Sequence, residues 1–453
     1  MSQLKNLSKP CLRTKWKFFD RENSSSFEYF NLCEELIAVG EFLLAHDVAK
    51  TGLNYHRNDK KLCQRAAHAL CKAGSPKTAS RMLEQLVAGG DCAVETHSLL
   101  ASAYKDLWEH STDQDSKKKY AELAIARYSE GFFSNSYDKL KASQRKELET
   151  QYYPCINISF MYFFSDNLEG AKEYAEKARK ICEKLKSGGK NEYWVQATEA
   201  EALLLLGSVK ESVSSYIEAV SLPDAKPSWI SSTRKQALQI AGEYKDPQIL
   251  KKIKTAFPTL GIVAFSGHVL DQPGADPRFP AEAEGLAKKE IVKALDEMNA
   301  SCGYSSAACG TDIIFLESML ERGAETHIFL PFAKKDFIEI SVRRAGGNWV
   351  SRFERVLDLA TSIHYVTNEG YFGDNALFSF CNNVLLGFAA MRGRGMDEDP
   401  NLLVFWDGNP GSKGGTGELV KEWRNVFNDP IIIDSVKVLK SVPIGQTVEA
   451  ISG

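Results

Sequence analysis

The sequence predicts two domains of different class: an α-helical solenoid of repeated helix pairs, then a three-layer α/β domain with a mainly parallel sheet. The chain has 453 residues, which is enough for two or three domains. Ala/Leu/Lys/Glu-rich helical segments fill the first part, whereas short apolar runs alternate with helical stretches in the second. Formal charge changes at the same place, because residues 1–258 carry 38 basic and 33 acidic groups and residues 259–453 carry 18 and 26. We therefore place the domains at 1–257 and 258–440, with a tail at 441–453.

Paired helices recur in the first domain. Gly40 and Gly74 end the first helices of two successive predicted pairs and lie 34 residues apart, which is the period of tetratricopeptide repeats (TPRs). Glycine suits the turn after a helix because left-handed geometry costs it little. Stacked pairs form a solenoid whose concave face can bind a protein partner. Five pairs are predicted, with a polar insertion at 134–146: 27–40 with 42–53, 62–74 with 77–87, 95–108 with 117–131, 152–164 with 168–186, and 193–207 with 209–220.

One segment of the repeat region is more specific. It contains the stretches YYPCIN at 152–157, GAKEYA at 170–175 and YWVQATEAEALLLLG at 193–207. This segment, at about 150–222, resembles the divergent TPR module called TPR-S, which is related to the TRAF-binding region of apoptosis-signal-regulating kinases. Cys155 and Ser159 stand where that pattern would have Gly and Ala. The resemblance implies a sensor or scaffold role.

Strands and helices alternate regularly in the second domain. Strands are predicted at 260–266, 302–305, 326–331, 362–367, 402–406 and 431–436. Helices are predicted at 280–299, 310–322, 336–344, 349–360, 375–391 and 417–427. Such alternation indicates a parallel sheet covered on both faces. In these sheets ligands bind beyond the carboxyl ends of the strands, at a topological switch point.

Small and polar residues cluster where the predicted strands end. Glycine lets backbone N–H groups approach an anion, and a helix that begins near Thr416 adds the partial positive charge of its first turn. Neither G-x-x-x-x-G-K-[ST] nor G-x-G-x-x-G follows a strand, which disfavours a P-loop NTPase and a conventional NAD enzyme. The candidate ligand-binding residues are Ser266, Gly267, His268, Arg278, Ala308, Gly310, Thr311, Asp312, Pro331, Trp406, Asp407, Gly408, Gly414, Gly415 and Thr416.

These strand-end motifs, in this order over about 260–436, resemble the SLOG superfamily. That Rossmannoid fold is shared by the Lonely Guy phosphoribohydrolases, the DNA-processing DprA proteins and several nucleotide-messenger sensors, so the resemblance implies a nucleotide-type ligand. In the hydrolytic branch, P-G-G-x-G-T-x-x-E supplies a phosphate cradle and a catalytic Glu. Here Glu418 follows Thr416 by two residues rather than three, which turns its direction on a helix by about 100°. Glu418 and Asp312 therefore remain weak catalytic candidates.

Several candidate residues have two readings. His268 is either a ligand-facing donor or a structural hydrogen-bonding group. Asp312 is either a partner of the helix dipole or an acceptor for ribose hydroxyls. Arg278 can reach a phosphate or remain a solvated loop charge, and Trp406 is either a base-stacking platform or part of the core.

Composition excludes several classes. The net charge is −3 without a dense Lys/Arg block, so nucleic acid is an improbable partner. The ten cysteines contain no C-x-x-C pair, so neither a metal site nor a disulfide framework is predicted. No stretch of about 18 apolar residues occurs, and the first twenty residues are polar. We expect a cytoplasmic protein without a membrane span.

The leading hypothesis is a sensor of a nucleotide or nucleotide-derived messenger in a signalling or immune-defence pathway, with the TPR domain relaying occupancy to a protein partner. A non-enzymatic role is favoured because the sequence offers no convincing acid–base pair, and no cofactor is predicted beyond the nucleotide-type ligand. The alternatives are an enzyme that hydrolyses the N-glycosidic bond of a nucleotide and a peptide-binding scaffold with a degenerate α/β domain. Homo-oligomerisation is left open.

Overall fold

The computed structural model describes residues 12–132, 145–189, 192–259, 261–272 and 278–441. Most of the predicted insertion at 134–146, the first residue of the first predicted strand and nearly all of the predicted tail lie outside these ranges. The chain divides into two compact units. Among the described residues, one unit contains Lys15–Pro258 with Gly395–Asp397, and the other contains 12–14, Thr259–Arg394 and 398–441. Among the described residues, no helix combines the length and apolar character that a membrane crossing requires.

Helices make up the part of the chain before the first strand. In the described residues they are α1 (Leu12–Lys17), α2 (Ser26–Ala38), α3 (Phe42–Tyr55), α4 (Lys60–Lys72), α5 (Pro76–Ala88), α6 (Val94–His110), α7 (Gln114–Gly131), α8 (Arg145–Glu149), α9 (Tyr152–Phe163), α10 (Leu168–Ser187), α11 (Tyr193–Leu205), α12 (Val209–Val220), α13 (Pro227–Glu243) and α14 (Pro247–Thr255).

The five predicted pairs correspond to α2/α3, α4/α5, α6/α7, α9/α10 and α11/α12. Local sequence explains where they begin and end. The Ser25 side chain accepts a hydrogen bond from the Glu28 amide while the Glu28 carboxylate accepts one from the Ser25 amide, so α2 begins with a capping box. Gly40 and Gly74 have φ of 82° and 91°, which is the left-handed turn that glycine allows. The first half of the chain is thus a TPR-like helical region.

Small side chains let the repeat helices approach closely. On α10, Ala171, Ala175 and Ala178 are at most 1% exposed, and they recur at helical spacing on one face. Large aromatic side chains fill the spaces between helices, and Tyr193 and Tyr216 are fully buried. Four further aromatic residues are partly buried and pack against the main core of the repeat unit: Tyr152, Tyr153, Tyr162 and Phe163.

Two helices, α13 and α14, follow the last predicted pair without a counterpart in the sequence prediction. The segment PSWISSTRKQALQIAGE of α13 is rich in Ser, Thr and Gln, residue types with no helical apolar period. Its buried residues are nevertheless spread along its length, including Ser228, Ser231, Thr233 and Ile240. Polar side chains become buried only when partners from elsewhere in the fold satisfy them, and the sequence does not show those partners.

Six parallel strands form one sheet: β1 (Gly261–Gly267), β2 (Ala300–Ser305), β3 (Glu325–Leu330), β4 (Ser362–Tyr365), β5 (Asn401–Trp406) and β6 (Ile431–Asp434). Their order is β4-β3-β2-β1-β5-β6. Each described neighbour pair runs parallel. All six predicted strands are present within a few residues of their predicted bounds.

Helices cover both faces of the sheet. They are α15 (Glu284–Glu297), α16 (Thr311–Glu321), α17 (Lys334–Phe337), α18 (Trp349–Leu359), α19 (Ala376–Gly395), α20 (Thr416–Arg424) and α21 (Ser435–Lys440). On one face, Phe315 of α16 stacks on Phe265 of β1 with ring centroids 4.5 Å apart. On the other, Phe388 of α19 packs against Phe329 of β3 at 5.2 Å. The unit is therefore a three-layer Rossmann-like α/β fold.

The predicted helix at 336–344 is not regular. The chain runs from α17 into a π-helical turn at Ile338–Val342 and then a 3₁₀ turn at Arg343–Ala345. This wide turn brings the Ser341 carbonyl to the Cys309 amide, 2.9 Å away.

The direction of strand addition reverses between β1 and β5. The chain builds outward from β1 through β2, β3 and β4, then returns to place β5 on the other side of β1. In register, Ser266 lies beside Val404 and Gly267 beside Phe405. A reversal of this kind leaves a crevice outside the carboxyl ends of the two strands.

Candidate functional site

The ends of β1 and β5 bring two groups of predicted site residues together at the switch point. Ser266 and Gly267 end β1 and His268 follows them, whereas Trp406 ends β5 and Asp407 and Gly408 follow it. The Ser266 and Thr416 hydroxyls share a hydrogen bond of 2.9 Å. The first turn of α20 is thereby held against β1, although these residues are 150 positions apart in sequence.

Gly267 is required by the close approach of α16. A Cβ at this position would lie 2.2 Å from Thr311 Oγ1 and 3.0 Å from Phe405 Cβ. The Thr311 hydroxyl instead donates to the His268 carbonyl at 3.0 Å. The first residue of α16 is therefore fastened to the chain that leaves β1.

Gly310 is required for a second reason. Its φ is 108°, a conformation that L side chains rarely adopt, and a Cβ there would lie 2.7 Å from the Leu270 amide. The Leu270 amide donates to the Cys309 carbonyl at 3.1 Å. Gly310, which was predicted to approach a phosphate, thus also lies against the backbone of Leu270.

Asp312 lies in the first turn of α16 and is buried. The Ala308 amide donates to Asp312 Oδ2 at 3.3 Å. Burial raises the pKa of Asp312 to about 7, although the backbone amides of Ala308 and Gly267 act to lower it. Among the described residues, Asp312 Oδ1 has no hydrogen-bond partner of normal geometry. One oxygen of the Asp312 carboxyl group therefore accepts a hydrogen bond from the protein, and the other has no partner among the described residues.

His268 is also buried. Its Nε2 atom lies 3.7 Å from Asp407 Oδ2, which is too far for a hydrogen bond, and within the described ranges no other partner reaches it. Burial, together with the nearby Arg278 guanidinium, lowers the pKa of His268 to about 4 against the opposing effect of Asp407. The imidazole is therefore neutral at pH 7, so Nε2 can either donate or accept.

Arg278 contacts Asp407 rather than standing alone in its loop. Arg278 Nε donates to Asp407 Oδ2 at 3.0 Å, and the Arg278 amide donates to Asp271 Oδ2 at 2.8 Å. The Arg278 side chain is 48% exposed. Burial acts to raise the pKa of Asp407, but hydrogen bonds from Asn409 and Arg278 outweigh it and the pKa is lowered. The guanidinium can still offer its other N–H groups to an anion.

The glycine-rich loop between β5 and α20 is tightly built. Gly408, Gly411 and Gly414 all have positive φ. A Cβ on Gly414 would lie 2.5 Å from Phe378 Cβ, and one on Gly417 would lie 2.1 Å from the Pro410 carbonyl oxygen. Gly415 precedes the first residue of α20. The loop therefore exposes backbone near a helix N-terminus while its glycines relieve close contacts within the protein.

Glu418 stabilises this loop through two hydrogen bonds. Its Oε2 accepts a hydrogen bond from the Ser379 hydroxyl at 2.7 Å and another from the Gly414 amide. These two bonds lower the pKa of Glu418, the Ser379 bond most. A carboxylate held in this way is suited to joining α19 to the loop more than to proton transfer.

Trp406 and Pro331 differ in their positions. The Trp406 indole N–H donates to the Asn409 carbonyl at 2.7 Å, so the ring is tied to the loop beside Asp407. Pro331 follows β3, which is separated from β1 by β2. It is therefore not among the residues gathered at the β1–β5 crevice. The aromatic contact between Phe332 and Phe378, at 5.4 Å, links this more distant strand end to the helix that packs on Gly414.

Three residues in this region were missed by sequence reasoning. Asp271 accepts hydrogen bonds from the backbone amides of Arg278 and Phe279. Asn409 donates its amide to Asp407, and Ser379 holds Glu418. Asp and Asn near a turn are a weak sequence signal for Asp271 and Asn409. Ser379 carries none, because its partner lies on another element.

In the repeat unit, helix α13 lies along the face that the first helices of the pairs share. Ser228 Oγ donates to the carbonyl of Ala38, the last residue of α2, and Lys72 of α4 donates to Ser232 Oγ at 3.2 Å. Further along, Lys235 pairs with Glu109 of α6 at 2.8 Å and Tyr193 of α11 donates to Thr233 at 2.9 Å. This shared face of the repeats is thus covered by a helix of the same unit.

A buried charge pair lies beneath α13. Lys105 Nζ donates to Gln236 Oε1 at 2.6 Å and to Asn157 Oδ1 at 2.7 Å. Gln236 in turn donates to the Glu201 carboxylate. Burial lowers the pKa of Lys105 and raises that of Glu201, while each group opposes the shift of the other.

Comparison with known proteins identifies the repeat type. Residues 41–162 match the model of the family TPR-S, Tetratricopeptide Repeats-Sensor. The match begins earlier than the segment at 152–220 that carries the sequence resemblance, and the two overlap at 152–162. A search of curated proteins gives no match.

Two solved structures resemble parts of the chain. A thermophilic TPR protein of Thermus thermophilus, TTC0263, is 16% identical, with a TM-score of 0.36 over 51% of this chain and 98% of that chain. Pseudomonas aeruginosa pilF is 14% identical, with a TM-score of 0.30 over 50% of this chain and 88% of that chain.

Proposed function

We propose that this protein is a sensor in which the α/β unit binds a nucleotide or nucleotide-derived messenger. The observation that carries the proposal is the pair of buried polar atoms at the end of β1, Asp312 Oδ1 and His268 Nε2, for which the described residues offer no hydrogen-bond partner. Buried polar groups are nearly always hydrogen-bonded, and each unsatisfied one costs about 1–3 kcal/mol. A ligand hydroxyl that donates to Asp312, and a ligand group that bonds to His268, would remove that cost.

A phosphate has a separate place in this arrangement. The loop from Gly408 to Gly415 leads into the first turn of α20, where unsatisfied backbone N–H groups favour an anion. Arg278 lies beside Asp407 at the end of the same strand. Residues 259–453 carry 26 acidic and 18 basic groups, so the overall field opposes an anion. Recognition of phosphate would therefore depend on these local donors.

The repeat unit would relay ligand occupancy to a protein partner in a signalling or defence pathway. TPR repeats are typical of protein–protein interaction, and the family matched over residues 41–162 has a sensor designation. Because α13 covers the face shared by the first helices, a partner would use the outer surface of the repeats or compete with α13. The alternative, a scaffold without a small ligand, would bind its partner through the same surfaces of the repeat unit. It differs from the sensor only in that no ligand binds in the β1–β5 crevice.

One observation favours the enzymatic alternative. The pKa of Asp312 is raised to about 7 by burial, and perturbed carboxyl groups near a crevice are common among general acids and bases. If the protein cleaves an N-glycosidic bond, Asp312 is a better candidate than Glu418, whose carboxylate is engaged by Ser379 and Gly414.

Ligand binding can be tested with the full chain by calorimetry and thermal shift. The panel would contain nucleoside mono-, di- and triphosphates, cyclic nucleotides and ADP-ribose. We expect at least one compound to raise the melting temperature and the variants Asp312→Asn and His268→Gln to weaken its binding at least tenfold. The matched control is Asp429→Asn, because that side chain is 85% exposed in the same unit. Silence of the wild-type protein across the panel would overturn the proposal.

Catalysis is tested separately by incubating the protein with nucleoside monophosphates and separating released bases chromatographically. A sensor releases none. Base release that Asp312→Asn abolishes and Asp429→Asn leaves intact would instead establish the hydrolase.

A further inference from the structure

We propose a second site in the α/β unit, a divalent transition-metal site of the zinc type formed by Cys302, Glu325 and His327. It lies near the amino-terminal ends of β2 and β3, whereas the β1–β5 crevice lies at the carboxyl ends of the strands. Cys302 is in register with Glu325, and Tyr304 with His327. The two strands therefore place all three side chains on the face that α19 covers, and the inference does not depend on the proposed nucleotide site.

The ligand atoms are already close to coordinating distance. Cys302 Sγ lies 3.7 Å from Glu325 Oε2, His327 Nε2 lies 3.4 Å from the same oxygen, and all three atoms lie within 4.8 Å of one another. A tetrahedral zinc ion bonded to sulfur, nitrogen and oxygen holds those atoms about 3.3–3.7 Å apart. The two distances to Glu325 Oε2 therefore already suit a bound ion, and sulfur and nitrogen lie within 4.8 Å of each other.

The donor set suits zinc. Thiolate, imidazole and carboxylate are its three protein ligand types, and three protein ligands leave a fourth position for water. Cys302 and His327 are buried and Glu325 is partly exposed, so an ion can enter from the Glu325 side. In the described ranges this is the one group of three such residues with converging ligand atoms.

The surrounding residues orient the ligands. His327 Nδ1 shares a hydrogen bond of 2.7 Å with Ser362 Oγ, which directs Nε2 towards Glu325, and the His327 ring stacks on Tyr304 at 4.7 Å. Metal-bound histidines commonly have their second nitrogen held in this way. The imidazole thus needs no rotation to bind an ion.

Arg392 of α19 contacts the same carboxylate, donating to Glu325 Oε2 at 2.9 Å. With an ion bound, Arg392 would be the outer partner of a coordinated carboxylate, a common arrangement, and its positive charge would moderate the affinity.

The test is titration of the metal-free full chain with Co²⁺, which reports thiolate coordination through a charge-transfer band in the near ultraviolet. We expect one equivalent of Co²⁺ to produce this band and Zn²⁺ to abolish it by displacement. Cys302→Ser should lose the band and bind Zn²⁺ at least tenfold more weakly. The control Cys33→Ser removes a buried thiol of the repeat unit and should leave the band unchanged.

Absence of the band in folded wild-type protein at saturating Co²⁺, or its persistence in folded Cys302→Ser, would overturn the site. If Cys302→Ser does not fold, His327→Gln takes its place. That variant keeps the thiol, so it should retain a charge-transfer band but change the visible d–d bands and weaken Co²⁺ binding at least tenfold. Unchanged visible bands and affinity in His327→Gln would equally exclude the site.

Discussion

Ser266 and Thr416 share a hydrogen bond of 2.9 Å that joins the end of β1 to the first turn of α20. Both side chains are largely removed from solvent, and Thr416 is 8% exposed. We expect Ser266→Ala to destabilise the α/β unit by about 1 kcal/mol, because the Thr416 hydroxyl then loses its partner.

The measurement is a double-mutant cycle of Ser266→Ala and Thr416→Val in urea unfolding, which should show a coupling of about 0.5–1.5 kcal/mol. Ser351→Ala is the control, since its hydroxyl bonds to the nearby Asn348 carbonyl on an exposed helix turn. Additive effects of the two substitutions would show that the bond contributes nothing.

Gly267→Ala should destabilise the α/β unit by about 1–3 kcal/mol, the usual cost of overpacking. The added methyl would lie 2.2 Å from Thr311 Oγ1 and would force α16 away from β1. Thermal unfolding monitors the loss. Gly285→Ala is the matched control, because nothing lies within 4 Å of its Cβ position in α15, and there alanine should be neutral or slightly stabilising. Equal melting temperatures of the two variants would contradict the steric argument.

The unfolding free energy of Asp312→Asn relative to that of the wild-type protein should increase as pH rises from about 4 to 7. The pKa of Asp312 is raised from an ordinary value of 3.8 to about 7, so the folded state holds a proton that the unfolded chain has released. That stability is complete below pH 3.8 and is lost as pH rises through 7. The difference can reach about 4 kcal/mol above pH 7.

The variant is needed for this measurement because His268 acts in the opposite sense. Its lowered pKa, about 4, makes the folded protein lose stability as pH falls from 6.5 to 4. Unfolding free energies of wild type, Asp312→Asn and His268→Gln between pH 4 and 8 separate the two contributions. A stability difference between wild type and Asp312→Asn that does not change with pH would show that Asp312 titrates normally.

Lys105→Met should destabilise the repeat unit by about 3–5 kcal/mol, because it leaves the Glu201 carboxylate buried without its cation. The double variant Lys105→Met/Glu201→Gln should recover most of this loss, since no buried charge then remains. Lys235→Met serves as the control, because Lys235 is 38% exposed in its pair with Glu109 and should cost at most about 1 kcal/mol. Failure of the double variant to recover stability in urea unfolding would exclude burial of the carboxylate as the cause.

Local patterns predicted most of the elements. Gly40 and Gly74 marked the repeat turns because their left-handed φ is a local requirement of the chain. The strand ends at Ser266 and Trp406 were readable from apolar runs that stop at small or polar residues. Helix α13 was not readable, because Ser228, Thr233 and Gln236 become favourable in a buried helix only through partners on other helices.

The candidate site was predicted as residue types rather than as an arrangement. Gly310 was expected to approach a phosphate, and the structure adds a contact with the Leu270 backbone that no local pattern reveals. Pro331 was grouped with the other strand ends, but strand order places β2 between it and β1. Arg278 and Asp407 lie 129 positions apart, so their ion pair cannot be predicted from the spacing of residues in the sequence.

The sequence by itself determined the class of each half, the position of the six strands and of most helices, and the glycines that tight turns require, because these follow from the periodicity and backbone preferences of nearby residues. Only the tertiary structure decided which residues meet at the ends of β1 and β5. It also decided that α13 covers the face shared by the first helices of the pairs, and that Cys302, Glu325 and His327 converge. Those relationships depend on strand order and helix packing between distant segments. Neither the hydrophobic period nor the local backbone preference of a segment contains that information.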